Sequence, residues 1–401
     1  MESELTSSAV KYPVGEQSFE SLRNEGFIYV DKTRYIERIV NGSKYYFLSR
    51  PRRFGKSLFL SLLKCFFEGK RHLFRGLYAD TMDWDWTPHP VLYLDFNNRK
   101  YKNVEKLDNL LNDFLEEEER KYGITETKSD FSGRFSRLIK MAAQKTGSKV
   151  VILVDEYDKP LVNNLHNPEQ FNQYRDTLAE LYSNFKSSAD YIRLVFMTGV
   201  SRFSKLSVFS GLNNISDISL DEEYSAICGI TESELIENFQ YGIKRLAEKY
   251  STSPEEEIGK LKRKYDGYHF SENCPDIYNP FSLLNVMSKV KYRNYWIESG
   301  TPTLLLEQLR KMDVDLKSLI NKTCDESELS GLDIDGISPV PLFYQTGYLT
   351  IKNYNATYQT YQLGLPNEEV TEGFFTFILP AYTNLHNDCD NCRYELFVRK
   401  T

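Results

Sequence analysis

Ser49-Arg-Pro-Arg-Arg-Phe-Gly-Lys-Ser57 is the stretch on which the fold turns. Tyr45-Tyr-Phe-Leu48, just ahead of it, is a short apolar run of the kind that forms a central parallel strand. Ser57-Leu-Phe-Leu-Ser-Leu-Leu-Lys-Cys-Phe-Phe67, just after it, is apolar almost all round, as a helix buried against a sheet is. Strand, turn and helix therefore follow in order, with Gly-Lys-Ser at the turn. In that context the tripeptide reads as a phosphate cradle.

Each position has a chemical reason. Gly55 removes the Cβ that would hold a phosphate off the backbone. Lys56 reaches the β- and γ-phosphates as a mobile point charge. The Ser57 hydroxyl is placed to ligate magnesium, and the helix start adds its dipole and free N–H groups. The general pattern G-x-x-x-x-G-K-[ST] begins with glycine; here Arg50 stands in that place, and Arg52 and Arg53 make the turn basic. These arginines are either further phosphate contacts or a solvated basic turn. The expected contacts of a bound nucleotide are Arg52, Arg53, Phe54, Gly55, Lys56, Ser57 and Leu58.

Val150-Val-Ile-Leu-Val-Asp-Glu156 supplies the other half of the site. A continuous hydrophobic run marks a parallel strand buried on both faces, and such sheets bind ligands at the carboxyl ends of their strands. Asp155 is then placed to hold magnesium through water, and Glu156 to act as the general base that activates the attacking water. The plainer alternative is a pair of solvated loop carboxylates. Two further runs read as core strands, Val91-Leu-Tyr-Leu94 ending at Asp95 and Ile192-Arg-Leu-Val-Phe-Met197 ending at Thr198. Thr198 is expected to sense the γ-phosphate beside the acidic strand, and Arg202 to sense or stabilise its charge. Thr127-Lys-Ser-Asp130 matches a guanine-reading pattern but precedes the acidic strand in a polar loop, so ATP is preferred over GTP.

At 401 residues the chain is long enough for two or three domains. With 41% hydrophobic and 27% charged residues it has the composition of a globular protein. Its 28 tyrosines and 25 phenylalanines are read mainly as core packing. A net charge of −7 gives no overall basic character for nucleic acid. The N-terminus lacks the regions of a signal peptide, and no apolar run approaches the roughly 20 residues needed to span a bilayer, so the expected location is cytoplasmic, without a membrane partner. Six scattered cysteines do not make a disulfide framework. Cys389-Asp-Asn-Cys392, with His386 nearby, has the spacing of half a zinc site only and is read as free thiols.

Helical spacing recurs at Leu107, Leu110, Leu111, Phe114 and Leu115, and at Phe171, Tyr174, Leu178, Leu181, Tyr182 and Phe185. The acidic run Glu116–Glu119 reads as a solvated helix end. Strand–helix alternation stops near residue 220, and residues 231–300 read mainly as helices, opened by a threonine cap at Ile230-Thr-Glu-Ser-Glu234. Leu342–Leu349, a hairpin across Asn353–Ala356 and a helix-like Glu369–Leu379 then sketch a winged helix. The fold class is α/β: a P-loop NTPase parallel sheet with flanking helices, then a helical lid and a winged-helix-like α+β domain. The divisions fall at 1–225, 226–300 and 301–401.

With these motifs in hand, the chain resembles the bacterial AAA-ATPase-like family of P-loop proteins. Tyr29-Val-Asp-Lys-Thr33, Ser49–Ser57, Val154-Asp-Glu-Tyr-Asp-Lys-Pro160, Thr198-Gly-Val-Ser-Arg-Phe203, Phe209-Ser-Gly-Leu-Asn-Asn214 and Tyr265-Asp-Gly-Tyr268 carry the resemblance over about residues 10–300. It implies an ATP-binding core with an additional strand and a glutamate base, followed by a helical lid, and it makes arginine at position 50 the norm. Many members continue into a PD-(D/E)XK nuclease; no Asp…Glu-x-Lys constellation follows residue 300 here, so that domain is not expected. The resulting expectation is a Mg-dependent ATPase that couples nucleotide state to movement of its C-terminal part, controlling DNA processing or defence. Residues 231–401 are expected to meet a protein or nucleic-acid partner, and the chain to be capable of oligomerising. The alternatives are a nucleotide-gated binding module that does not hydrolyse, and a DNA-binding regulator acting through residues 301–385.

Overall fold

The computed structural model describes residues 10–98, 101, 103, 105–125, 130–165, 167–202, 214–300, 305, 316–331 and 339–378. Its centre is a five-stranded parallel sheet in the order β2-β3-β4-β1-β5. These strands are β1 (Tyr45–Ser49), β2 (Val91–Asp95), β3 (Val150–Asp155), β4 (Ile192–Gly199) and β5 (Ser216–Asp217). All six residues of β3 are buried, which is why it reads as an unbroken hydrophobic run. Strand β4 lies between the strand of the basic turn and the acidic strand, as the additional strand expected from the family resemblance. Register aligns Asp95 with Asp155 and Leu48 with Thr198, so the polar strand ends lie along one edge.

Helices cover the sheet: α3 (Lys56–Phe67), α4 (Glu105–Lys121), α5 (Phe131–Thr146) and α7 (Pro168–Ser187), with the short α1 (Phe19–Asn24), α2 (Arg34–Asn41) and α6 (Lys159–Val162) around them. The expected apolar stripes of α4 and α7 face the core, with Leu107, Leu111, Leu115, Phe171, Leu178 and Phe185 fully or almost fully buried. The acidic end of α4 departs from expectation. Glu119 is buried and receives both Arg134 Nε (3.1 Å) and Nη2 (2.7 Å), a two-pronged pair that ties α4 to α5.

Beyond the sheet, Thr231 opens α8 (Glu232–Asn238) with a reciprocal cap: its side chain accepts from Glu234 N at 3.3 Å, and Glu234 Oε2 accepts from Thr231 N at 2.8 Å. Helices α8, α9 (Gln240–Tyr250), α10 (Pro254–Tyr265) and α11 (Pro280–Lys289) enclose a second apolar cluster that includes Leu235, Leu246, Leu261 and Val286, and α12 (Tyr295–Glu298) follows. A two-stranded ladder of β6 (Ile230–Thr231) and β7 (Ile277–Tyr278) closes its base. Further on, β8 (Thr323–Cys324), β9 (Thr350–Asn355) and β10 (Thr360–Gly364) form an antiparallel sheet in the order β8-β10-β9, flanked by helices at Pro339–Thr346 and Glu368–Gly373. A hairpin is therefore present, but its turn lies at residues 356–359; Asn353–Asn355, expected in the turn, continue β9. Ile351 and Leu363 of the hairpin, with Phe343 of the preceding helix, join the same buried cluster as the parallel sheet. Thr127-Lys-Ser-Asp130 (apart from Asp130), Phe203, most of 209–214, His386, Cys389 and Cys392 lie outside the described residues.

Candidate functional site

The basic turn leaves β1 at Arg50 and enters α3 at Lys56. Two of its residues take left-handed backbone, Arg53 with φ 67° and Gly55 with φ 99°. A Cβ on Gly55 would meet nothing within 4 Å, so it is the left-handed φ that favours glycine there. No side chain caps α3, and no acidic residue lies in its first turn. Its leading N–H groups and the positive end of its dipole thus face a cleft of about 490 Å3. Arg52, Arg53, Lys56, Ser57, Asp95 and Glu156 are among the residues lining that cleft.

Within the turn the basic groups are already engaged. Lys56 is 4% exposed and its Nζ donates to the carbonyls of Arg50 (2.9 Å) and Pro51 (3.2 Å). Arg53 lies over the ring of Phe281 at 5.0 Å. Arg52 donates to the Gly300 carbonyl at 2.8 Å and covers Trp296 at 4.9 Å, while Trp296 Nε1 donates to the Arg52 carbonyl at 3.1 Å. Arg50 is wholly interior: it donates to the carbonyls of Ser219 (2.7 Å) and Tyr224 (3.1 Å) and stacks on Phe270 at 4.2 Å. Phe54 is buried edge-on against Tyr268 (4.8 Å) and Phe270 (5.4 Å). Arg50 and Phe54 anchor the turn, while Gly55, Lys56 and Ser57 present it.

Opposite the turn, Asp155 is 2% exposed and accepts from Thr198 Oγ1 at 2.7 Å. Thr198 therefore addresses the acidic strand directly. Glu156 turns off the strand end with φ 50° and pairs with Lys159 Nζ at 3.2 Å, which also donates to Asn97 Oδ1 at 2.6 Å. Arg202 is placed elsewhere. Its guanidinium pairs with Asp217 on β5 and, at 3.7 Å, with Glu326, and its N–H donates to Gln345 Oε1 at 3.0 Å; it does not line the cleft.

Three contributors escaped the reading of the sequence. Asp95 lines the cleft beside Asp155, and burial first, then the charges of Asp155 and Glu156, hold its carboxyl above the usual range. Its position at the end of a core strand was the available signal. Asp158 is buried and accepts from Val200 N (3.2 Å) and Ser201 N (2.6 Å), stitching the loop after β3 to the loop after β4. Burial raises it to about 6 despite those bonds. Pro13, Gly15, Glu16 and Gln17 of the lead-in form a further wall, and Leu58, one of the expected contacts, lines both the cleft and an adjoining apolar pocket with Ile28, Val30, Ile230 and Phe239.

A family profile described as "Predicted AAA-ATPase" matches residues 13–209, the segment that carries β1 to β4 and both halves of the cleft edge. A protein of Azotobacter chroococcum mcd 1, described as an "Uncharacterized protein in vnfD 5'region", is 38% identical over 379 residues, covering 94% of this chain and 71% of that protein. The chain belongs to the predicted AAA-ATPase family. The family match ends before the helical cluster, whereas the likeness to the Azotobacter protein extends over most of the chain. The AAA-ATPase-like core is thus the segment that bears the cleft edge. Among the described residues, no helix of this AAA-ATPase-like chain is long and apolar enough to cross a membrane.

Proposed function

We propose that this AAA-ATPase-like chain binds ATP with magnesium in the cleft and hydrolyses it, coupling nucleotide state to residues 231–401. The observation that supports this best is the cleft between an uncapped α3 N-terminus, with Lys56 and Ser57, and the strand-end carboxylates Asp95 and Glu156, with Asp155 buried beside Asp95. An anion fits the first half and a divalent cation relieves the crowded carboxylates of the second. The α3 amides and Lys56 would hold the phosphates, with Arg53 beside them. Magnesium takes one or two protein ligands and completes its shell with phosphate and water; Ser57 and Asp155 suffice, and no larger cage occurs among the described residues. Bound magnesium supplies charge neutralisation on the phosphates. Thr198 orients Asp155, and Glu156 takes the proton of the attacking water. The adjoining apolar pocket suits a purine base.

For Lys56 to reach a phosphate it must leave the carbonyls of Arg50 and Pro51. The turn is held on its other side by Trp296 and Gly300, so its rearrangement bears directly on the lid. The winged-helix reading of the C-terminal sheet belongs to this proposal, as the part that would meet a protein or nucleic acid. A second reading, a switch that holds ATP without useful turnover, is favoured by the resting pairs of Lys56 and Glu156. ATP hydrolysis and binding by wild type, Lys56→Ala and Glu156→Gln distinguish them. Turnover is expected to fall on the order of a hundredfold in both variants, with binding retained in Glu156→Gln. Binding without turnover in the wild type would favour the switch, and turnover unchanged by either substitution would discard the site.

A further inference from the structure

Arg52, Arg53 and Lys56 enter the cleft from the basic turn, whereas Lys159 enters it from the acidic side, as the first residue of α6. Its backbone is fixed on both flanks. Asp158 is 2% exposed and accepts from Val200 N and Ser201 N, and Pro160 is buried with its carbonyl bound by Asn164 Nδ2 at 2.8 Å. The Lys159 side chain stays 33% exposed, with Nζ 2.6 Å from Asn97 Oδ1 and 3.2 Å from Glu156 Oε2. Asn97 is itself seated by its N–H, which donates to Asp95 Oδ1 at 2.7 Å. An ammonium is thus held among the carboxylates that line the cleft, Asp95 and Glu156.

Both contacts of this ammonium are exchangeable. A partly exposed ion pair is weak, because water screens it and competes for both partners. The shorter bond goes to a neutral amide oxygen. A phosphate carries more negative charge than either partner, and lysine bears its three donors on a flexible four-carbon stem. Lys56 differs, being 4% exposed between two carbonyls of its own turn. Asp95 and Glu156 repel a phosphate bound at the α3 N-terminus, so a cation on their side is what lets an anion lie close to them. Arg202 does not fill that role, since it pairs with Asp217 and Glu326 away from the cleft.

We propose that Lys159 is a second phosphate-binding lysine, which leaves Glu156 and Asn97 for the terminal phosphate of the bound nucleotide; this rests on the ATP reading above. One movement then has two effects. The terminal phosphate gains a cation where phosphoryl transfer needs its charge stabilised. Glu156 Oε2 is freed to accept from the attacking water. Lys159 also makes the cleft distinguish a triphosphate from a diphosphate, which lacks the group it meets.

Calorimetric titration of the full chain with magnesium, using ADP and a β,γ-imido analogue of ATP, tests this in wild type, Lys159→Met and Lys159→Arg. Methionine keeps the apolar stem and removes the charge. Lys159→Met should bind the analogue about tenfold more weakly and ADP within about twofold of wild type, as expected for one lost charge-assisted hydrogen bond to phosphate. Lys159→Arg should restore most of the preference. The same loss should appear when Glu156→Gln is already present, because the contact runs to the phosphate and not through the carboxylate. Equal losses for both nucleotides, no loss, or a loss that vanishes beside Glu156→Gln would each overturn the inference and leave the ATP site standing. Failure of the wild type to bind either nucleotide would overturn the ATP reading and this inference with it. Acetylation of wild-type Lys159 by an N-hydroxysuccinimide ester, mapped by peptide mass spectrometry, decides the matter even if a variant does not fold. The analogue should slow it and ADP should not, and equal protection by both would overturn the proposal.

Discussion

Arg50 shows how one residue can hold a turn in place without lining the cleft beside it. Its side chain is 1% exposed; carbonyls of Ser49, Ser219, Tyr224 and Ser225 and the face of Phe270 surround it. A planar, forked donor suits several carbonyls at once, and the aromatic face adds to it, so lysine is a poor substitute. Arg50→Ala should cost on the order of 3 kcal/mol, because it leaves buried carbonyls unpaired and opens a cavity. Urea denaturation of wild type, Arg50→Ala and Arg50→Lys checks this, and a loss below about 1 kcal/mol in Arg50→Ala would mean that the guanidinium is dispensable. The sequence places this arginine where a general phosphate loop has glycine. It cannot reveal the role, since the partners lie 169 to 220 residues further on in segments with no motif of their own. Arg202 misleads in the reverse way: its position after β4 suggests phosphate, but Asp217 on a strand too short to be read from sequence takes it instead.

Elements were legible where burial alone shapes the sequence. Strands β1 to β4 are apolar because both faces are covered, and α3 is apolar because it is enclosed. Strand β5 is two half-exposed polar residues, placed by pairing with Tyr46 and Phe47, and hydrophobicity gives no sign of it. Glu119 looked solvated because its partner Arg134 belongs to the next helix. The helix Glu368–Gly373 offers a test at this scale. Glu369 is buried and accepts from Ser282 Oγ on α11 (2.7 Å) and from Trp296 N on α12 (2.8 Å). Burial first raises its carboxyl to about 7, against those bonds. The folded state thus holds its proton more tightly than the unfolded chain. Its contribution to stability is fully present below about pH 4.5 and is lost as pH rises through about 7, a span worth roughly 3 kcal/mol. Glu369→Gln removes that titration. Melts at pH 5 and pH 8 should show the variant gaining on wild type as pH rises, and an equal difference at both values would place the charge elsewhere.

At the scale of the molecule, the basic turn is gripped by the C-terminal half. Trp296 Nε1 binds the Arg52 carbonyl, and Gly347, with φ 89°, packs so that an added Cβ would lie 2.8 Å from Pro51 Cβ and 3.3 Å from Trp296 Cζ2. Only a glycine meets both demands, the backbone angle and the closeness of the turn. Gly347→Ala must strain its backbone or push the turn away, at about 2–4 kcal/mol in total. If nucleotide state is coupled to the lid and the C-terminal sheet through this contact, magnesium-ATP should change amide hydrogen exchange in residues 50–57, 294–300 and 345–349 together in the wild type. Lys56→Ala should abolish all three changes. Gly347→Ala should keep the first and weaken the other two, since phosphate still meets the α3 N-terminus while the grip behind it is loosened. Protection confined to residues 50–57 in the wild type would show that the turn moves without its neighbours, and the coupling would then have to run through Arg50 and Phe270.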